Sequence, residues 1–265
     1  MKKLVISDMD GTLLNSANKI PDNIEDVIRK LNKKDVAFAV ASGRQYPILR
    51  RDFYNLKDDM FFICENGAVT VKDDEIIHVE EIPTNLVKST VELIKSIPEA
   101  GILLSTPKYA ILEGTVDSEI ANIIKDYFPS CKISEDVLDI IDGETICKVS
   151  AFIEKGKGDK LYKAVNDGLN EKLHAHLSIE NWVDIMPLNV NKATALEFIK
   201  DYYQISSKDC IAFGDYLNDM EMLLSVEESY CMENGHEDLK KIAKHIAPSN
   251  DDEGVIKVLK DLFDI

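Results

Sequence analysis

The sequence predicts an α/β protein: a Rossmann-like parallel-sheet core with a second, α+β domain inserted into it. Three observations carry this reading. Short continuous apolar runs, rich in β-branched and aromatic residues, stand at Leu4–Ile6, Val36–Ala41, Met60–Cys64 and Cys210–Gly214. Such runs suit strands buried on both faces of a parallel sheet, whereas half-exposed antiparallel strands alternate apolar and polar residues. Amphipathic helical segments separate the first three runs, and a βαβαβ order requires a parallel sheet with right-handed crossovers. Between Pro83 and Pro187 this alternation gives way to paired strands with intervening helices, and it resumes afterwards. At 265 residues the chain is too long for one ordinary domain and comfortable for two. The expected division is 1–83 and 187–265 for the core and 84–186 for the insertion.

The first strand runs into Asp8-Met9-Asp10-Gly11-Thr12. Side chains alternate along a strand, so Asp8 and Asp10 are expected on one face. Ligands of open α/β sheets bind outside the carboxyl ends of the strands, where these acids fall; an acidic turn closing the strand would use the same residues. From Pro21 to Lys33, the spacing of Ile24, Val27, Ile28 and Leu31 predicts one apolar helical face. The second strand, Val36–Ala41, ends in Ser42-Gly43-Arg44, and a helix from Tyr46 and a strand over Met60–Cys64 follow. Two short runs flanking Lys72-Asp73-Asp74 read as a hairpin within Ala68–Glu81. The insertion is expected to hold helices over Asn85–Ser96, Asp117–Tyr127 and Lys157–Glu171. Its strands, Ile102–Ser105, Ala110–Leu112 and Lys148–Ile153, suit an antiparallel sheet. The core resumes with a helix from Lys192, the strand Cys210–Gly214, and shorter elements up to Ile265.

Acidic side chains outnumber basic ones by 48 to 31, a formal net charge of −17. That balance argues against nucleic acid or an anionic membrane as partner, and an anionic substrate would need a locally positive pocket. The five cysteines are widely spaced and sit in apolar runs, which fits inert thiols in a reducing compartment. With no signal peptide and no apolar run of membrane-spanning length, a cytoplasmic protein is expected.

Four polar clusters lie at strand ends or helix starts: Asp8/Asp10, Ser42-Gly43, Asn191-Lys192 and Gly214–Asp219. A parallel sheet places the carboxyl ends of neighbouring strands along one edge. Together these groups offer a specific chemistry. Carboxylates with a free coordination position suit Mg²⁺, which takes oxygen ligands and keeps room for water and phosphate. A hydroxyl with backbone N–H groups cradles phosphate oxygens, and a lysine at a helix start adds positive charge. One of the two leading aspartates can then act as nucleophile and the other as acid and base. Ser42 would equally serve as a helix N-cap, and Asn218 could simply open the following helix.

This set resembles the haloacid dehalogenase (HAD) superfamily, and within it the Cof-type phosphatases with a large cap. The D-x-D-G-T-L motif is Asp8–Leu13, the Ser-Gly motif is Ser42-Gly43, the lysine context is Val190–Leu196, and G-D-x-x-N-D is Gly214–Asp219. A closing segment, Asn250–Val255, is similar as well, so the likeness spans the chain. The resemblance implies that Asp8 is the nucleophile, that Asp10 is the acid/base and that Lys192 is catalytic. It implies Mg²⁺ held by Asp8, Asp10 (through its carbonyl) and Asp215. Phosphate contacts fall to Met9, Ser42, Gly43, Lys192 and Asn218, with Asp219 orienting its neighbours. Ala193 departs from the family's usual glycine, and Cys231–Gly235 departs from its usual A-M-x-N-A. Arg44 suits either substrate contact or an ion pair. His174 and His176, lacking a third ligand, read as ordinary surface of the insertion, and Trp182 as packing at its exit. The expected function is a Mg²⁺-dependent phosphatase of small phosphorylated metabolites, sugar phosphates foremost, working through an aspartyl-phosphate. The alternatives are a phosphomutase with the same nucleophile and a non-catalytic phospholigand-binding protein.

Overall fold

The structure, a computed structural model, describes residues 3–265 other than 115, 117 and 180. The chain opens with β1 (Lys3–Asp8), α1 (Ile24–Lys33), β2 (Val36–Ala41), α2 (Tyr46–Asp52), β3 (Phe61–Cys64), β4 (Val69–Lys72) and β5 (Glu75–Val79). It continues through α3 (Thr84–Lys95), β6 (Gly101–Ser105), β7 (Ala110–Glu113), α4 (Ser118–Tyr127), β8 (Cys131–Ser134), β9 (Lys148–Phe152), α5 (Gly158–Gly168), β10 (Leu173–Ile179) and β11 (Trp182–Pro187). It closes with α6 (Lys192–Tyr203), β12 (Cys210–Gly214), α7 (Met220–Leu224), β13 (Glu228–Met232), α8 (Glu237–Ile242), β14 (His245–Ala247) and α9 (Gly254–Phe263).

These elements form two compact units. The first comprises 1–43, 52–78 and 191–265, and the second comprises 44–51 and 79–190. The second unit therefore starts and ends a few residues outside 84–186, and also takes in the segment holding Arg44 and most of α2. Met1, Lys2 and Asp117, which the sequence reading assigned to the core and to the start of α4, lie outside the described residues.

The first unit is an eight-stranded sheet in the order β14-β13-β12-β1-β2-β3-β4-β5. The six strands from β14 to β3 run parallel, and β4 pairs antiparallel with β3. Every residue of β2, β3 and β12 is buried, as continuous apolar strands require. On one face Leu4, Ile6, Ala39, Phe61 and Ala212 pack with Leu196 and Ile199 of α6 and Met222 and Leu223 of α7. α1 turns Ile24, Val27, Ile28 and Leu31 inward and lies against β2 and α9. Burying such side chains contributes roughly 1.5–3 kcal/mol each and holds the sheet edge rigid beneath the polar loops.

The second unit is a six-stranded sheet, β10-β11-β9-β6-β7-β8. All described pairings are antiparallel except β7–β8, which is parallel. α3 and α5 cover one face through Val87, Val91, Ile94, Leu161 and Val165. Ile120, Ile124 and Phe128 cover an apolar half of the other face. Trp182 belongs to that second cluster, stacked on Phe152 at 4.8 Å between ring centroids, so it is interior packing of this unit and not a hinge residue. Among the described residues no helix is long and apolar enough to cross a membrane.

Candidate active site

The site sits on neighbouring strand ends. β12, β1 and β2 are adjacent in the sheet; Asp8 is level with Ala41, and Ser7 with Phe213. Asp8, Ser42 and Asp215 therefore leave the sheet side by side.

Asp8 is 6% exposed, and its Oδ1 accepts a hydrogen bond from Lys192 Nζ. Lys192, only 1% exposed, also donates to Asp219 Oδ1 at 2.6 Å. A capping box fixes the backbone from which this lysine projects. Asn191 Oδ1 accepts from the N–H groups of Ala193 at 2.9 Å and Thr194 at 3.1 Å, while the Asn191 N–H donates to Thr194 Oγ1 at 3.1 Å. Asp219 Oδ2 accepts from the Asp215 and Tyr216 N–H groups at 3.0 and 3.2 Å. Thr12 Oγ1 donates to Asp215 Oδ1 at 2.9 Å. Carboxylate oxygens of Asp8, Asp215 and Asp219 thus lie within 4.8 Å of one another.

Three carboxylates around one ammonium leave an excess of negative charge, and the ionisation reflects it. Burial, with the charges of Asp219 and Asp215, pushes the Asp8 carboxyl well above its ordinary range against the pull of Lys192. Burial also pushes Asp215 up to about 6, with Asp219 adding to it. For Lys192, burial disfavours the ammonium, but Asp219 and Asp8 outweigh it and hold the pKa above the ordinary lysine value. The missing positive charge and the all-oxygen donor set fit a hard divalent cation such as Mg²⁺.

Asp10 requires a correction. β1 ends at Asp8, and Asp10 (φ −80°, ψ 118°) lies in the following turn, so the two acids do not share a strand face. Its carboxylate stays outside the cluster of Asp8, Asp215 and Asp219, and the residue is exposed. Gly11 explains the turn: its φ is +81°, and a Cβ there would fall 2.4 Å from Asp215 Oδ2. Ser42 is buried; its N–H donates to the Ile63 carbonyl, and its own carbonyl accepts from the Asn66 N–H, each at 2.9 Å. α2 begins only at Tyr46, with the Gln45 carbonyl accepting its first bonds, so Ser42 is not that helix's cap. A Cβ on Gly43 would sit 3.1 Å from Asn66 Nδ2, which brings the Asn66 amide to the same backbone. Met9 is buried at the start of the first turn, and Asn218 is exposed in the short 3₁₀ turn Leu217–Asp219.

Ala193 adopts no positive φ and donates its N–H to the cap, which a glycine would do no better. In the Cys231–Gly235 segment, Asn234 Nδ2 reaches the Gly11 carbonyl at 2.8 Å. His174 and His176 stack at 5.9 Å between centroids on β10, half-buried; among the described residues neither joins a three-ligand group. Sequence reasoning gave no specific role to Thr12, Asn66, Asn191 and Asn234, although all but Asn66 stand in segments it singled out. The Asn191-x-x-Thr194 spacing and the Asn66-Gly67 turn dipeptide were available signals. Asn234 stands in the flagged Cys231–Gly235 segment, but its partner, the Gly11 carbonyl, is 223 residues away and no local spacing points to it.

A parallel sheet with acids at its strand ends, joined in one chain to an α+β domain, defines a two-domain α/β protein with a buried acidic site. A family model described as haloacid dehalogenase-like hydrolase matches residues 5–259. The HMP-PP phosphatase of Enterobacter sp. (strain 638) is 26% identical, over 93% of this chain and 89% of its own length. The 5-amino-6-(5-phospho-D-ribitylamino)uracil phosphatase of Escherichia coli K12 is 24% identical, over 97% and 94%. A crystal structure from Streptococcus mutans UA159 is 27% identical, with a TM-score of 0.86 and full coverage of both chains. The chain belongs to the haloacid dehalogenase-like hydrolases and has their fold with a cap domain.

Proposed function

We propose that this enzyme is a Mg²⁺-dependent phosphatase of small phosphorylated metabolites, sugar phosphates foremost, which works through a phosphorylated Asp8. The observation that carries the reading is the buried Asp8 carboxylate, held by Lys192 inside a cluster short of positive charge. Asp8, Asp215 and the Asp10 carbonyl would hold Mg²⁺, which when bound neutralises charge on the phosphate and returns the raised carboxyls to their ionised form. Lys192, Ser42, Gly43, Met9 and Asn218 bind and orient the phosphate, and Asp219 fixes Lys192. An Asp8 oxygen attacks phosphorus while the ester P–O bond breaks, and the Asp10 carboxyl gives its proton to the departing alkoxide. Water then loses a proton to Asp10 and attacks the phosphoryl group, releasing inorganic phosphate and restoring Asp8.

The named relatives support the substrate class, since the ribitylamino compound of the E. coli relative carries its phosphate on a sugar-alcohol chain. The acidic charge, and cysteines that are mostly buried, support a cytoplasmic setting. The test is phosphate release from a panel of phosphorylated metabolites, with Mg²⁺ and with excess chelator. Release that depends on Mg²⁺ and needs no bisphosphate activator is expected. Full activity in chelator would remove the metal, and turnover that returns phosphate only to a second sugar hydroxyl would make the enzyme a mutase.

A further inference from the structure

The turn from Met9 to Leu14 carries Asp10: Asp10 and Gly11 are non-helical, the Leu14 N–H to the Met9 carbonyl, at 2.8 Å, closes it, and Thr12 Oγ1 ties it to Asp215 at 2.9 Å. Two asparagines from the far end of the chain also grip it. Asn234 Nδ2 donates to the Gly11 carbonyl at 2.8 Å, and Asn250 Nδ2 donates to the Leu14 carbonyl at 2.8 Å. The two are joined, since Asn234 Oδ1 accepts from the Asn250 N–H at 3.0 Å. The loop bearing Asn234 also holds the other acid-bearing loop, because the His236 N–H donates to the Asp215 carbonyl at 2.7 Å. One short segment therefore spans from the Gly11 carbonyl, one residue beyond Asp10, to the Asp215 carbonyl.

We infer that Asn234 and Asn250 form an amide clamp that positions Asp10 for proton transfer. Asn234 is exposed, so burial does not account for its place in the fold, and its amide uses both its donor and its acceptor on the clamp. Proton transfer to a leaving group requires hydrogen-bond reach, and a displacement of about 1 Å can cost about 10²-fold. The clamp is therefore a positioning device acting through Asp10, and the kinetic part of this inference rests on the acid/base reading above.

The test compares wild type with Asn234→Ala, Asn250→Ala and the double variant in two measurements. The first is turnover of a sugar phosphate, whose alkoxide needs Asp10's proton, against nitrophenyl phosphate, whose phenolate does not. In Asn234→Ala the ratio of the two rates should fall about tenfold or more. The double variant should lose at least as much as the more damaged single, since each side chain holds a different carbonyl of the turn. The second is amide hydrogen exchange over residues 9–15 in metal-free protein, which should quicken there while the strands stay protected. An unchanged ratio, equal losses on both substrates, or unchanged exchange over 9–15 in Asn234→Ala each overturns the clamp. Should buried Asn250→Ala fail to fold, Asn234→Ala alone decides. If wild type releases phosphate from neither substrate, the function reading fails instead, and exchange alone judges the clamp.

Discussion

Each unit buries a cluster of charges, and the two clusters behave in opposite ways. In the second unit Lys148 Nζ lies 3.5 Å from Asp184 Oδ2, and Ser150 Oγ donates to Asp184 Oδ1 at 2.6 Å, with all three residues buried. Burial works to raise the Asp184 pKa, yet Lys148, His176 and the hydroxyls of Ser150 and Ser178 hold it below the ordinary range. In the first unit burial is similar, but three carboxylates share one lysine, and Asp8 and Asp215 are pushed up. Stoichiometry, not burial, separates them. The cap cluster satisfies its charges from within the protein, as a buried pair must if it is to persist. The core cluster is left incomplete, the mark of a group completed by something that arrives from solution.

The largest effect that tests this contrast belongs to Asp8. Asp8→Asn removes the attacking oxygen's charge, and turnover should fall by about 10³-fold or more. The same change relieves repulsion among three acids, so the metal-free variant should melt no lower than wild type. Residual turnover near the wild-type level, or a clear loss of stability, would break the contrast. Asp184→Asn should run the other way, removing the charge that buried Lys148 faces at 3.5 Å and costing about 3–5 kcal/mol in denaturant unfolding. A third measurement adds metal. Mg²⁺ at about a hundred times its dissociation constant should stabilise wild type by about 2.7 kcal/mol, and Asp8→Asn by much less. Equal stabilisation of both would remove Asp8 from the metal site.

Much of the site was legible because its logic is local to strand ends. β1, β2 and β12 announce themselves as continuous apolar runs, and the residues that follow them must meet along one edge of a parallel sheet. Asp10 was misplaced because strand alternation was extended two residues past the strand's end. The turn there is set by Gly11 and by Asn234 and Asn250, which lie more than 220 residues away in sequence. β8 escaped notice for a different reason: Cys131–Ser134 is a four-residue edge strand, too short for its alternation to stand out, and its Ile133 is exposed. Trp182 looked like an exit residue from its place in the chain, but its ring has a three-aromatic stack waiting within the cap, with Phe152 and Phe128.

The smallest expected effect is a pH dependence with opposite signs in the two clusters. The Asp215 pKa rises from an ordinary 3.8 to about 6, so between those values the folded state binds more protons than the unfolded chain. Stability from this group is then present in full below about pH 4 and declines as pH rises through about 6. Asp184, with its pKa lowered, contributes stability above its ordinary 3.8 that is lost as pH falls through the lower folded value. Many other carboxylates titrate in a chain of net charge −17, so the raw melting curve of wild type will not isolate either group. The informative quantity is the difference between wild type and Asp215→Asn, both metal-free, melted at pH 5 and pH 7.5. The variant lacks the titration, so wild type should lose more stability than the variant between those pH values. With saturating Mg²⁺ the wild-type loss should disappear, because the cation binds the ionised carboxylates. Parallel pH dependences of wild type and variant when both are metal-free would mean that Asp215 is already compensated by the protein, and the contrast between the two clusters would fail at its metal-binding side.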